Sequence, residues 1–208
     1  MKKLLVAGIL LLAATSYAGQ TAVTDTGEKV ILNSDGTWVY ADNAPKPAKQ
    51  IETNKKKFEK PKDSTFLVKS TRNNSAYWLN SAKWSFKKTA ADAAVEYQFQ
   101  LKGKDLYGMA VTEGIEMPLE SLAETALANA RNAAPDARIL MQEYRVVNGK
   151  KVIYMQINGT IKGVNFTYNG YYFSNSSGST QLVAYTAANA VAKYKPEIND
   201  FLNGLVTQ

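Results

Sequence analysis

From Ile139 to Thr186 the chain reads as consecutive β segments joined by tight turns, and this stretch restricts the fold more than any other feature. Ile139 to Val147 meets Val152 to Ile161 through Asn148-Gly149, a dipeptide suited to the positive φ angles of a two-residue hairpin turn. Gly163 opens the next run, which carries Val164, Phe166, Tyr168, Tyr171, Tyr172 and Phe173. Ser174 to Ser179 is a polar turn, and Thr180 to Thr186 is the last strand of the meander. Earlier in the chain, Val95, Tyr97, Phe99 and Leu101 point one way while Glu96, Gln98 and Gln100 point the other. That period of two is the mark of a half-buried strand, and Leu106 to Glu113 follows as its neighbour.

Two helices need that sheet. Pro118 suits a first helical position, Glu120 and Glu124 favour the positive end of the helix dipole, and Ala134-Pro135 ends the segment. Leu119, Leu122, Ala123, Ala126, Leu127 and Ala130 repeat at helical spacing and form one apolar stripe. At the C-terminus Pro196 fits a first turn, and Ile198, Phe201, Leu202 and Leu205 are expected on one helical face. A helix with an apolar stripe buries it against another layer. The expected architecture is therefore α+β, a twisted antiparallel sheet of about six or seven strands covered by helices.

The first 18 residues read as an export signal. Lys2 and Lys3 form its charged start, Leu4 to Ala14 its apolar centre, and Ser16 and Ala18 the small residues of a cleavage site. An apolar run of that length is too short to span a hydrocarbon core of ~30 Å, so an integral membrane protein is not expected. The expected location is periplasmic or secreted. The sequence contains no histidine and no cysteine, which removes the side chains that most often carry acid/base, nucleophilic and transition-metal chemistry near neutral pH. No cofactor or metal site is expected. With 45% hydrophobic residues a domain of this length can be held by burial without disulfides.

Residues 19–42 form a small β-hairpin unit, in which Lys29 to Asn33 and Thr37 to Tyr40 flank Ser34-Asp35-Gly36. Residues 43–63 are a Lys/Pro-rich linker, interrupted by Pro45, Pro47 and Pro61. Residues 64–208 are the α+β main domain. The formal net charge of +7 is concentrated, because Pro45 to Lys62 holds seven lysines against Glu52 and Glu59. Basicity confined to one segment argues against a nucleic-acid partner. Lys55, Lys56 and Lys57 are the candidate electrostatic contact, either a solvated spacer or a weak attachment to an anionic surface.

Three stretches of the main domain carry a resemblance. Trp84-Ser85-Phe86 stands before the strand of Val95 to Leu101, and Gly170-Tyr171-Tyr172 before Ser177-Gly178-Ser179. Gln181 to Thr186 and an amphipathic end at Tyr194, Ile198, Phe201 and Leu202 complete the pattern. From Thr65 to Gln208 the order of strands, helix, four-strand meander and helix resembles the PsbP-like (Mog-type) α/β/α fold. The hairpin with Asn33-Ser34-Asp35-Gly36-Thr37-Trp38 resembles a module at the start of many uncharacterised exported bacterial proteins. The resemblance implies a non-catalytic binding or assembly factor, and together with the export signal the expected partner is an envelope protein or a cell-surface component.

The rings supply the candidate binding surface: Trp78 and Trp84 flank the bend of Leu79 to Lys83, and Tyr168, Tyr171 and Tyr172 fall in one strand. Buried packing is the competing reading for each. The enzymatic alternative is a histidine-independent hydrolase. It would use Glu113 and Glu116, or a lysine with a serine among Ser174, Ser176, Ser177 and Ser179. Those carboxylates lie in a strand-to-helix connection, and serines are expected in turns. With Asp105 the two glutamates could also hold a hard cation, but the dense Asp/Asn/Gly loop of a calcium site is missing.

Overall fold

A computed structural model describes residues 20–24, 29–41, 51–91 and 93–208. The export signal, residues 19, 25–28 and 42 of the expected hairpin unit, and residues 43–50 of the expected linker lie outside the described residues. The chain divides into two units, with the boundary between Gln50 and Ile51.

In the first unit β1 (Gln20–Val23), β2 (Lys29–Leu32) and β3 (Trp38–Tyr40) form an antiparallel sheet in that order. The β2–β3 turn closes as its sequence predicts. The Asn33 amide donates to the Thr37 carbonyl at 2.8 Å, and the Asp35 carboxylate accepts the Thr37 amide at 2.9 Å. Gly36 takes the positive φ of 83° that the turn requires.

The second unit holds β4 (Glu52–Phe58), β5 (Phe66–Lys69), β6 (Ser75–Leu79), β7 (Trp84–Lys88), β8 (Val95–Leu101) and β9 (Tyr107–Glu113). Helix α1 (Leu119–Ala133), β10 (Arg138–Val147), β11 (Lys150–Ile161), β12 (Val164–Asn175) and β13 (Gly178–Ala187) follow. Helix α2 (Lys195–Leu202) and β14 (Leu205–Thr207) end the chain. Eight strands make one sheet in the order β4-β10-β11-β12-β13-β9-β8-β7, and β14-β6-β5 make a second. The unit is predominantly β. One core lies against α1, through Leu122, Ala123, Ile153, Met155 and Tyr172. The larger core lies on the opposite side, where Phe201 and Leu202 of α2 meet Tyr77, Leu79, Phe99 and Leu182.

Four expectations need correction. The end of the expected linker is a strand: β4 pairs in parallel with β10, so the large sheet is not wholly antiparallel. Phe58 packs against the core, and its carbonyl accepts the Asn148 amide at 2.9 Å. A lysine-rich strand is stable there because it occupies the sheet edge, where exposed charge also prevents pairing with another chain. Second, the helices do not cover the sheet as expected. The side facing α2 shares its cover with the smaller sheet, and α1 packs on β11 and β12.

Third, Glu96 does not face solvent with Gln98 and Gln100. The register shifts between Val95 and Tyr97, and this irregularity turns Glu96 inward, where it is 0% exposed. Its carboxylate accepts the Thr71 amide at 2.8 Å, the Thr71 hydroxyl at 2.9 Å, the Ser70 hydroxyl at 2.7 Å and the Thr112 hydroxyl. Burial pushes this carboxyl's pKa up, but the hydrogen bonds to the charged form outweigh it and leave the pKa below its usual value. Fourth, Leu205 belongs to no helix. After α2 ends, Leu205 pairs with Tyr77 across β14 and β6, which closes the smaller sheet.

Candidate functional site

The five expected surface rings do not share a surface. Trp84 is buried with its indole stacked on Phe201 at 4.7 Å, and Tyr171 is buried with its hydroxyl donating to Asn203 Oδ1 at 2.8 Å. Both belong to the core against α2. Tyr172 is buried on the other side of β12, against α1. The reason lies in the layering: both faces of β12 are covered, so neighbouring rings on opposite faces are both core residues. Trp78 is half-buried, with the Lys60 ammonium 5.0 Å from its ring centre. Tyr168 is the strand's half-buried ring on the α1 side. Lys55, Lys56 and Lys57 are exposed on the edge strand β4.

Tyr168 leads to the main concavity on that side. A groove of about 570 Å³ runs between α1 and the sheet, a size within the usual range of small-molecule sites. Its floor carries Met109 and Val111 of β9, Val183 and Tyr185 of β13, and Tyr168 and Tyr172 of β12. These positions alternate with the residues that fill the opposite core, so they follow directly from strand periodicity. The helix wall is made of Leu122, Thr125, Ala126, Asn129, Ala130 and Ala133, half of them alanine. Alanine supports the helix while leaving space that a leucine would fill.

The helix is drawn close at one end. A Cβ on Gly159 would lie 2.9 Å from the Ala134 Cβ, so only glycine lets β11 approach that closely. At the other end the Met117 amide donates to Ser174 Oγ at 3.0 Å, and the Tyr144 hydroxyl donates to the Glu120 carboxylate. That bond raises the Tyr144 pKa to about 12 and lowers that of Glu120. On the floor, Tyr168 stacks on Tyr185 at 5.2 Å and Tyr185 on Tyr107 at 5.7 Å. Burial, then the neighbouring phenol, raises the pKa of Tyr168 and of Tyr185, so both stay neutral hydrogen-bonding groups at physiological pH.

The residues weighed for catalysis are spread out. Glu113 and Glu116 are exposed, and Asp105 precedes the opposite end of β9 from Glu113. Ser174 Oγ accepts the Met117 amide, and Ser177 Oγ donates to Asn74 Oδ1 at 2.5 Å. Ser179 is buried in β13, and Ser176 lies exposed in the turn. Among the described residues no three acidic side chains gather as a metal site, and no helix is long and apolar enough to cross a membrane.

Among solved structures, the chain is similar to the cyanobacterial PsbP (CyanoP) of Synechocystis sp. PCC 6803, with a TM-score of 0.53 at 10% identity. The match covers 70% of this chain and 94% of that one. The fold is PsbP-like. A Pseudomonas aeruginosa protein of unknown function, PA94, aligns at a TM-score of 0.44 and 9% identity, over 69% of this chain and 99% of its own. No family model matches the chain, and no curated protein matches it by sequence.

The groove was missed because its lining comes from separate elements, β8, β9, α1, β11, β12 and β13. A signal was present: β13 carries Val183 and Tyr185 on one face and Leu182 and Ala184 on the other, so neither face is polar. A strand apolar on both sides announces two covering layers.

Proposed function

We propose that this protein is an exported, non-catalytic binding module of the cell envelope, and that the groove under α1 holds an apolar segment of a protein partner. The observation that carries this reading is the groove itself, with a largely apolar floor, an alanine-rich wall and two methionines at hand in Met109 and Met117. Methionine adapts its shape to what it touches, which suits a surface that receives another chain. The tyrosines offer an apolar ring with a polar tip, the chemistry favoured where proteins meet. The PsbP-like fold fits a binding role, and the N-terminal residues fit export. The lysines of β4 would add a weak, salt-sensitive attraction to an anionic surface.

The test is site-specific photocrosslinking in intact cells, with the crosslinker at Asn129 beside the groove. A discrete adduct that disappears when Ala130→Phe fills the groove supports the reading. An adduct unchanged by Ala130→Phe, or no adduct from a well-folded protein, overturns it.

A further inference from the structure

A second cavity, of about 620 Å³, opens on the opposite face of the sheet, beside α2 and the turn before it. Its floor breaks the pattern of the strands that build it. On this face β11 and β12 bury Val152, Tyr154 and Tyr171, and the next positions are Gln156 and Asn158 of β11 opposite Asn169 and Thr167 of β12. Two successive cross-strand pairs are therefore polar where burial calls for apolar side chains, and Asn158, Thr167 and Asn169 are at most 5% exposed. Their own hydrogen bonds leave a remainder. Asn169 Oδ1 accepts the Tyr154 hydroxyl at 3.0 Å and Gln156 Nε2 at 3.1 Å, which fixes the orientation of the amide. Asn169 Nδ2 then has no partner, although the residue is 2% exposed. A buried donor without an acceptor is unfavourable, and a strand could avoid it with leucine or valine.

Arg145 lines the same cavity. Its guanidinium lies 3.6 Å from the centre of the Tyr154 ring and 4.5 Å from that of Phe58. Nε donates to Glu143 at 2.6 Å and Nη1 to the Tyr171 hydroxyl at 3.3 Å, while Nη2 makes no hydrogen bond among the described residues. Lys195 stands at the rim, and no acidic side chain lines the cavity. The remaining wall is apolar, with Ile198 and Val191 on one side and the exposed Leu140 and Met141 on the other.

We infer that this cavity binds a small organic acid, its carboxylate received by Asn169 Nδ2 and Arg145 Nη2 and its aliphatic body lying along Leu140, Met141 and Val191. A carboxylate supplies acceptors to both idle donors and matches the flat fork of a guanidinium. The Glu143 partner keeps Arg145 fixed and partly neutralised, so binding depends on directed hydrogen bonds as well as on charge. The site lies across the sheet from the groove under α1 and stands or falls separately from it.

The test titrates the full chain with hexanoate, hexanol and inorganic phosphate, read by calorimetry and by the side-chain amide resonances of Asn169. Hexanoate is expected to bind saturably and to shift those resonances, with hexanol and phosphate each at least about tenfold weaker. Asn169→Leu should weaken hexanoate about tenfold; it also removes the acceptor of the Tyr154 hydroxyl and of Gln156 Nε2, so its melting temperature should fall and binding is measured well below it. If that variant does not fold, Lys195→Glu replaces an exposed side chain and should weaken hexanoate alone. Equal affinity for hexanol, phosphate binding as tight as hexanoate, no saturable hexanoate binding, or unchanged binding by the tested variant overturns the inference.

Discussion

Trp84 and Phe201 stack with ring centres 4.7 Å apart and planes 28° from parallel, which ties the start of β7 to the last turn of α2. Phe201 also meets Phe99 edge-on at 5.1 Å and rests on the bare backbone of Gly108, where a Cβ would come within 2.7 Å of its ring. Gly108→Ala should therefore destabilise the second unit by about 1–3 kcal/mol through overpacking. Trp84→Ala should remove about 3–5 kcal/mol by opening a cavity. Urea unfolding checks both: the midpoint should fall for each while the slope stays constant.

The buried carboxylate of Glu96 makes stability depend on pH. Its pKa in the folded protein lies below the usual value, so the stability it contributes is present above the unfolded pKa and is lost as pH falls through the folded one. The melting temperature of the wild type should drop on acidification below about pH 4.5, the ordinary range of a glutamate. Thr112→Val, which removes one donor to this carboxylate, should cost about 1.5–3 kcal/mol at neutral pH. Its loss should shrink as the carboxylate is protonated.

Phenols set the opposite limit. Burial raises the pKa of Tyr77 and Tyr172 far above the usual value and brings Tyr154 to about 12. A raised folded pKa means stability that is intact below the unfolded value and lost as pH rises beyond it. Absorbance titration should show these three phenols ionising above the ordinary tyrosine value of about 10, together with alkaline unfolding.

On the sheet edge, the change of Lys55, Lys56 and Lys57 to glutamine should weaken binding to anionic vesicles by up to ~1 kcal/mol per residue. Wild-type binding should fall as salt rises through physiological strength. The melting temperature should stay the same, since all three side chains are exposed. Self-association of the variant at high concentration should increase, because the edge loses its charge. Vesicle flotation and light scattering measure the two effects.

Closure of α1 on the sheet can be tested at Gly159. The substitution Gly159→Ala places a Cβ 2.9 Å from the Ala134 Cβ and should push the end of α1 outward. A loss of about 1–3 kcal/mol is expected, with faster hydrogen exchange at the C-terminal turn of α1 than at its start.

What the sequence determined by itself was local. Asn148 and Gly149 adopt positive φ angles of 47° and 79°, as their turn chemistry requires, and Asp35-Gly36 likewise closes β2 onto β3. Pro118 and Pro196 mark the starts of two helices, and the alternation in β8 to β13 locates the strands. Each signal resides in a few neighbouring residues, where steric limits and side-chain periodicity act without the rest of the chain. Tertiary structure decided the rest. Glu52–Phe58 became a strand through β10, a partner about ninety residues away, and Leu205 found Tyr77 across the smaller sheet. Glu96 turned inward where the register shifted, and Trp84, Tyr171 and Tyr172 went into the core because layers covered both faces of the sheet. The groove and the polar cavity arise in the same way, since each gathers residues from segments far apart in sequence. A strand's periodicity shows that it has two faces, but what covers each face depends on distant segments that local pattern does not name.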